Sequence, residues 1–343
     1  MSLTLEKVDK ATEVVSIFRR DNKTSRHPLS TVYFNHNVRN EDQNHAPAHG
    51  VLELHKDFLQ KKNQINSEEF DEVCNMIDEE QEPDLGDPLR PAYWDIKDHF
   101  DRYLKREMYL GDQPDVEFRD EFPRKKETWA KSMTLFANSG GGKTYYLVQM
   151  LLRYLRSVPD WEKRQIVYLS PEVSIDKTLE PLRAKKWEMW YTPVDVSHEA
   201  YRKSGLGAGD FYEKNIGSKL DGDDMIIVFD DYADAAPALV PMLTAKYNSC
   251  LRVARHRNCG IVSLQHTYSG GKKTSQSLQS NSKIIFFPQT STARCVRFLV
   301  DHLQLKIKEA KALVRRFASL DRHMVVSMFS PVCIYNSKYL HLL

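Results

Sequence analysis

Residues 135–144 read Leu-Phe-Ala-Asn-Ser-Gly-Gly-Gly-Lys-Thr, an apolar run that passes through consecutive glycines into Lys143 and Thr144. Such a stretch suits the wrapping of a phosphate chain. Glycines let successive backbone N–H groups curl around an anion with no Cβ in the way. The helical stretch that follows, Tyr145–Arg156, adds the unpaired N–H groups and positive dipole end of its first turn. In this reading Asn138, Ser139, Gly140, Gly141 and Gly142 form the cradle for a nucleoside triphosphate. Lys143 bridges its β- and γ-phosphates, and the Thr144 hydroxyl holds Mg²⁺. The general pattern G-x-x-x-x-G-K-[ST] begins with glycine where this chain has Ala137. Alanine is the smallest replacement, and the glycines at 140–142 keep the loop pliable.

A second chemical signal is the apolar run Met225–Phe229 ending in Asp230 and Asp231. Beside a phosphate loop, the first acid is expected to orient the Mg²⁺ shell through water. The second lies nearer the γ-phosphate, where it can orient and deprotonate an attacking water. A third apolar run, Gly260–Leu264, ends in Gln265, whose amide can reach the γ-phosphate or the water. Upstream lie Arg252, Arg255 and Arg257. One of them, with Arg255 first in order, would supply transition-state charge from a neighbouring subunit, worth about 10³- to 10⁵-fold in rate; the alternative is a basic helix end facing its own dipole. Lys272 and Lys273, in the Gly- and Ser-rich stretch after Gln265, are candidate contacts to DNA phosphates, which carry no sequence information. A solvated surface loop is the alternative there.

These residues need a scaffold that brings the ends of several strands together, and the chain from about residue 131 has its pattern. Short runs rich in Val, Ile, Leu and Phe occur at Met133–Ala137, Gln165–Ser170, Met225–Asp230, Gly260–Gln265 and Lys283–Pro288, with helical stretches between. Such runs read as strands buried on both faces of a mainly parallel sheet flanked by helices, an α/β fold. A helical stretch, Lys306–Phe317, and two apolar runs, His323–Ser330 and Val332–Leu343, close the chain. The runs are expected to form an antiparallel hairpin connected through Ser330-Pro331. Residues 1–125 read as a separate, acidic, mostly helical region of unknown role, and 126–343 as the nucleotide-binding domain. Leu3–Arg20 and Tyr93–Tyr109 have helical periodicity, Asn66-Ser67-Glu68-Glu69 offers a helix cap before Phe70–Glu79, and Asp78–Asp87 reads as a loop.

Composition narrows the class. At 343 residues, with 41% hydrophobic and 28% charged residues, the chain is that of a globular protein. It has no apolar run of membrane-spanning length and no signal-peptide pattern at Met1–Arg20. Cys74, Cys250, Cys259, Cys295 and Cys333 are scattered, without a Cys-x-x-Cys pair. This excludes a disulfide framework or a cysteine zinc site and implies a reducing, intracellular compartment. The net charge of +2 divides unevenly: 19 Lys and Arg against 28 Asp and Glu over residues 1–130, and 30 against 19 over 131–343. The basic part can approach a polyanion. His27, His36, His45, His49 and His55 lack metal-ligand spacing and read as surface residues, and Trp187, Trp190 and Tyr191 as packing or interface.

Together, the phosphate loop at 140–144, Phe229-Asp230-Asp231, Arg255-His256 leading into Ser263-Leu264-Gln265, Asn281 before Ile284–Phe287, and the closing runs 324–330 and 332–342 have a specific order. Over roughly residues 130–343 it resembles the FtsK/HerA superfamily of DNA-pumping ATPases, particularly the genome-packaging ATPases of large double-stranded DNA viruses. The resemblance implies a RecA/FtsK-like P-loop NTPase fold and ATP with Mg²⁺. It further implies Gln265 as sensor, an inter-subunit arginine, and a homo-oligomeric ring around double-stranded DNA. Capsid or other virion proteins would be partners, and assembly sites in the host cytoplasm or nucleus the location. Ala137 departs from the family pattern, as does Asp231, where Glu is commoner; Asp-Asp occurs in the viral branch. A DNA helicase or plasmid mobilisation or segregation ATPase stays open on the motifs, as does a nucleotide-dependent switch or scaffold. ATP rather than GTP is implied by the resemblance alone; the sequence shows no guanine-reading Asn-Lys-x-Asp.

Overall fold

The computed structural model describes residues 2–4, 12–19, 30–35, 48, 52, 56–110, 116–122, 132–254, 256–266, 278, 280–329 and 331–343. They divide between two compact units, one drawn from the ranges 1–20, 28–119 and 333–343, the other from 120–332. Arg255, Lys272, Lys273 and the five amino-terminal histidines singled out above lie outside the described residues.

The larger unit alternates strand and helix. In chain order it contains β1 (Ser132–Phe136), α1 (Lys143–Ser157), β2 (Gln165–Ser170), β3 (Tyr191–Asp195), α2 (His198–Ser204), α3 (Ala208–Asn215) and β4 (Met225–Asp230). There follow α4 (Val240–Val253), β5 (Gly260–Gln265), β6 (Lys283–Phe286), α5 (Pro288–Leu303), α6 (Ile307–Leu320) and β7 (Met324–Ser327). The strands lie in the order β7-β6-β1-β5-β4-β2-β3. All neighbours are parallel except β6 and β7, which pair antiparallel. Every residue of β1, β4 and β6 is buried, as a sheet covered on both faces requires. One face packs Ile227, Phe229 and Ile261 against Phe211, Leu243 and Tyr247 of the covering helices.

Register decides what the sheet can position. Gln265 stands opposite Phe136, and Leu264 opposite both Leu135 and Asp230. The carboxyl ends of β1, β5 and β4 are therefore level, and the loops leaving them share one edge. The acid-bearing strand does not neighbour β1; β5 is inserted between them, with the Gln265 strand touching both. Charge is also buried in this unit: Lys283 Nζ and Asp120 Oδ1 are 2.8 Å apart, with side chains 8% and 1% exposed.

The other unit corrects one expectation. Leu3–Arg20 is not helical: Ser2–Thr4 and Thr12–Arg19 are strands of a four-stranded antiparallel sheet completed by Ser30–Asn35 and Val116–Arg119. The run Val14–Phe18 is β-branched or aromatic at four positions of five, and Val15, Ile17 and Phe18 are buried, so pairing and burial override the helical spacing. Helices form at Lys56–Asn63, Ser67–Asp78 and Arg90–Arg106. Asn66 closes the expected capping box with Glu69: each side chain bonds the other's backbone N–H, at 3.0 and 2.7 Å. Phe70, Val73, Cys74, Tyr93 and Ile96 form the core between helices. The closing hairpin pairs Cys333–Tyr335 with Tyr339–Leu342. It turns at 336–338, where the Asn336 side chain accepts from the backbone N–H of Lys338 and Tyr339 at 2.9 and 2.8 Å. Among the described residues no helix is long and apolar enough to cross a membrane. The five cysteines are buried and form no disulfide with one another.

Candidate active site

The loop between β1 and α1 is built around glycine conformations. Gly140 and Gly142 have φ of 72° and 95°, left-handed values that a side chain resists. Gly141 is constrained differently: a Cβ there would lie 2.6 Å from Ala137 Cβ and 2.9 Å from Asn138 O. The methyl at the departing position 137 is thus accommodated because position 141 has none. Helix α1 starts at Lys143 without a side-chain cap on its first turn, so its leading N–H groups face the loop.

Lys143 is 5% exposed, and its ammonium is held from three sides. It donates to Ala137 O at 3.1 Å and to His266 Nδ1 at 2.9 Å, and lies 3.9 Å from Asp231 Oδ2. Burial lowers its pKa, against the raising effect of Asp231, Asp230 and Asp234. Asp231 follows directly from β4 with φ of 44°, a left-handed turn that Asp tolerates better than most residues. Its N–H donates to Leu264 O at 3.1 Å, and its Oδ2 receives His266 Nε2 at 2.8 Å. Burial raises its pKa, opposed by Lys143 and His266.

Asp230 is deeper. Its Oδ2 accepts from Tyr168 Oη at 2.8 Å, while among the described residues its buried Oδ1 has no hydrogen-bond partner. Burial first, and the Asp231 charge second, push its pKa up to about 7; Tyr168 and Lys143 act the other way. An orphaned carboxylate oxygen beside a phosphate loop, with Thr144 in the first turn of α1, is a donor set that fits a hydrated Mg²⁺. Asp231, Asp234 and His266 also place three ligand atoms within 4.8 Å of one another, although His266 Nε2 already serves Asp231.

The structure therefore brings together the loop at 138–144, Asp230, Asp231 and the end of β5. Gln265 stands at that end, but its amide donates to Ser263 Oγ on its own strand at 3.0 Å. Arg252 and Arg257 lie elsewhere. Arg257 bonds Asp221 O at 3.2 Å, and its carbonyl accepts from Asp224 at the amino ends of β4 and β5. That is a strand length of about 17 Å from the loop edge. Arg252 is exposed at the end of α4. Trp187 is buried, beneath Lys163 and Lys186, as packing requires.

Three site residues went unread in the sequence. Tyr168 is one apolar-strand residue among several. His266 directly follows Gln265, so its position was visible though its contacts were not. Arg294, from α5, donates through Nη1 to Asn138 Oδ1 at 2.7 Å and to His266 O at 2.8 Å. Asn138 in turn donates to Thr290 O at 2.6 Å. No local pattern marks Arg294; only the fold brings it to the loop.

No family model matches the sequence, and no curated protein does. Among solved structures the chain is similar to a genome-packaging NTPase of Sulfolobus turreted icosahedral virus 2 in complex with ATPγS, at 14% identity and TM-score 0.34, over 60% of this chain and 97% of that one. It is also similar to the cytoplasmic domain of the Thermomonospora curvata Type VII secretion ATPase EccC, at 13% and 0.38, over 61% of this chain and 25% of that one. A third is a KaiC-like protein of Pyrococcus horikoshii, at 10% and 0.30, over 46% and 70%. Likenesses this distant leave the activity to be read from the residues of this chain.

Two outcomes are expected of the site. Gly141→Ala should lower nucleotide affinity at least about tenfold through steric strain at the loop, and adding Ala137→Gly should restore part of it, measured by equilibrium binding. Asp230→Asn should stabilise the metal-free protein. Because the folded pKa of about 7 lies above the ordinary 3.8, folding takes up a proton between those values. The destabilisation therefore grows as pH rises through that window and is full above it. The melting temperature of the variant in EDTA should exceed that of the parent by about 2–4 °C at pH 8, with a smaller gain at pH 5.

Proposed function

We propose that the chain is a Mg²⁺-dependent ATPase that drives double-stranded DNA, most specifically a viral genome into a preformed capsid. The observation that carries the hydrolase reading is the Lys143 ammonium, buried between a glycine cradle and the Asp230–Asp231 pair at one sheet edge. Lys143 and the open first turn of α1 hold the β- and γ-phosphates. Thr144 and Asp230 would hold Mg²⁺ through its water shell, and the ion when bound would neutralise phosphate charge. Asp231 orients a water against the γ-phosphorus and takes its proton as the bond to the β–γ bridging oxygen breaks and ADP leaves. Gln265 reaches the same edge after its amide leaves Ser263.

Support for DNA as the polymer comes from the net +11 of residues 131–343 and the ordered motif resemblance. In this reading Lys272 and Lys273 contact backbone phosphates, and an arginine of the 252–257 segment acts across a subunit boundary in a ring. The location of Arg252 and Arg257 away from their own loop accords with a role toward a neighbour rather than in cis. The residues at 1–125 have no assigned part.

The test is steady-state ATP hydrolysis with and without long duplex DNA. Turnover should need Mg²⁺, rise with duplex more than with single strands, and fall by about 10²- to 10³-fold in Lys143→Ala. Hydrolysis indifferent to DNA would contradict the translocation reading, and hydrolysis unchanged in Lys143→Ala would contradict the site.

A further inference from the structure

We propose that His266 is a positioning residue that reports the γ-phosphate to Asp231, a role that rests on the nucleotide-site reading above. The imidazole sits in a closed chain. Lys143 as an ammonium has donors only, so the 2.9 Å contact requires His266 Nδ1 to accept. The ring proton is then on Nε2, which donates to Asp231 Oδ2 at 2.8 Å. Both neighbours demand the same tautomer. The backbone is fixed as well: Arg294 Nη1 holds His266 O and Asn138 Oδ1 together, at 2.8 and 2.7 Å, tying the exit of β5 to the phosphate loop.

A γ-phosphate offers acceptors only, so it competes with His266 Nδ1 for the Lys143 donors. When Lys143 turns to the phosphate, Nδ1 is vacated while the Nε2–H bond to Asp231 remains, and that bond sets the direction of the carboxylate. Lys143 has three donors, with two on Ala137 O and His266 Nδ1. The third suffices for the β-phosphate of a diphosphate and leaves the His266 bond in place, whereas a γ-phosphate calls on a second donor and displaces it. The side chain is 37% exposed, open enough for this exchange. Gln265, the residue that sequence assigns to sensing, has its amide on Ser263 and takes no part in the chain.

Two consequences separate this role from a merely structural one. Removing the imidazole removes a competitor for Lys143, so His266→Ala should bind ATPγS more tightly, by about 2- to 10-fold, the worth of one hydrogen bond. It should also lower kcat by about 10- to 100-fold, because Asp231 loses its orienting donor. Loss of structure would weaken binding and turnover together.

The direct experiment is NMR of the ¹⁵N-histidine-labelled full chain, with His266→Ala identifying its signal. The nucleotide-free protein should show the Nε2–H tautomer. Mg·ATPγS should shift the Nδ1 resonance and Mg·ADP should leave it. Equal responses to the two nucleotides, or weaker ATPγS binding by His266→Ala, would overturn the proposal while leaving the nucleotide site intact. Failure of the parent chain to bind either nucleotide, matching Lys143→Ala, would overturn both.

Discussion

The Lys143 ammonium and the carboxyls of Asp230 and Asp231 share a largely buried site in which burial disfavours the charge of every member. Lys143 and the two carboxylates partly compensate one another, while the Asp231 charge works against that of Asp230. Among the described residues one oxygen of Asp230 has no hydrogen-bond partner. Placing such groups together costs stability, and the rest of the larger unit is arranged to hold them. Level strand ends at β1, β4 and β5 set their spacing, fully buried strands make that register rigid, and α5 braces the loop through Arg294 and Thr290. An arrangement this unfavourable in the empty protein is understandable where polyanion and cation complete it.

The loop itself shows how one deviation is absorbed. Alanine at 137 puts a methyl where the general pattern has none, and the contact it makes would collide with any side chain at 141. The three glycines are therefore not equivalent. Those at 140 and 142 answer a backbone demand, and the one at 141 answers a packing demand set by the Ala137 methyl and the Asn138 carbonyl.

Much of the larger unit was legible because parallel strands buried on both faces leave continuous apolar runs: Gln165–Ser170, Met225–Asp230 and Gly260–Gln265 form over the residues expected. The loop and paired acids stood out because their residue types and order suit phosphate chemistry, and the structure sets them at one sheet edge. Strand order was not, since pairing is non-local; the insertion of β5 between β1 and β4 follows from register alone. Likewise Arg294 reaches Asn138 across 156 positions of chain, and no local pattern carries that distance. In the smaller unit, Val14–Phe18 fits either period, and the neighbours that decide it, such as Phe118 opposite Ile17, are remote in sequence. The strand Tyr191–Asp195, with Pro193 within it and an exposed middle, lacks the apolar run that marked the others.

The claim on which the account depends is that Lys143 and its loop bind a nucleoside triphosphate, and ligand-induced stabilisation tests it without reference to DNA or turnover. Mg·ATPγS at about 100 times its dissociation constant should stabilise the parent by about 2.7 kcal/mol, raising the melting temperature by roughly 5 to 10 °C, and should leave Lys143→Ala unmoved. No shift in the parent, or an equal shift in Lys143→Ala, would contradict it.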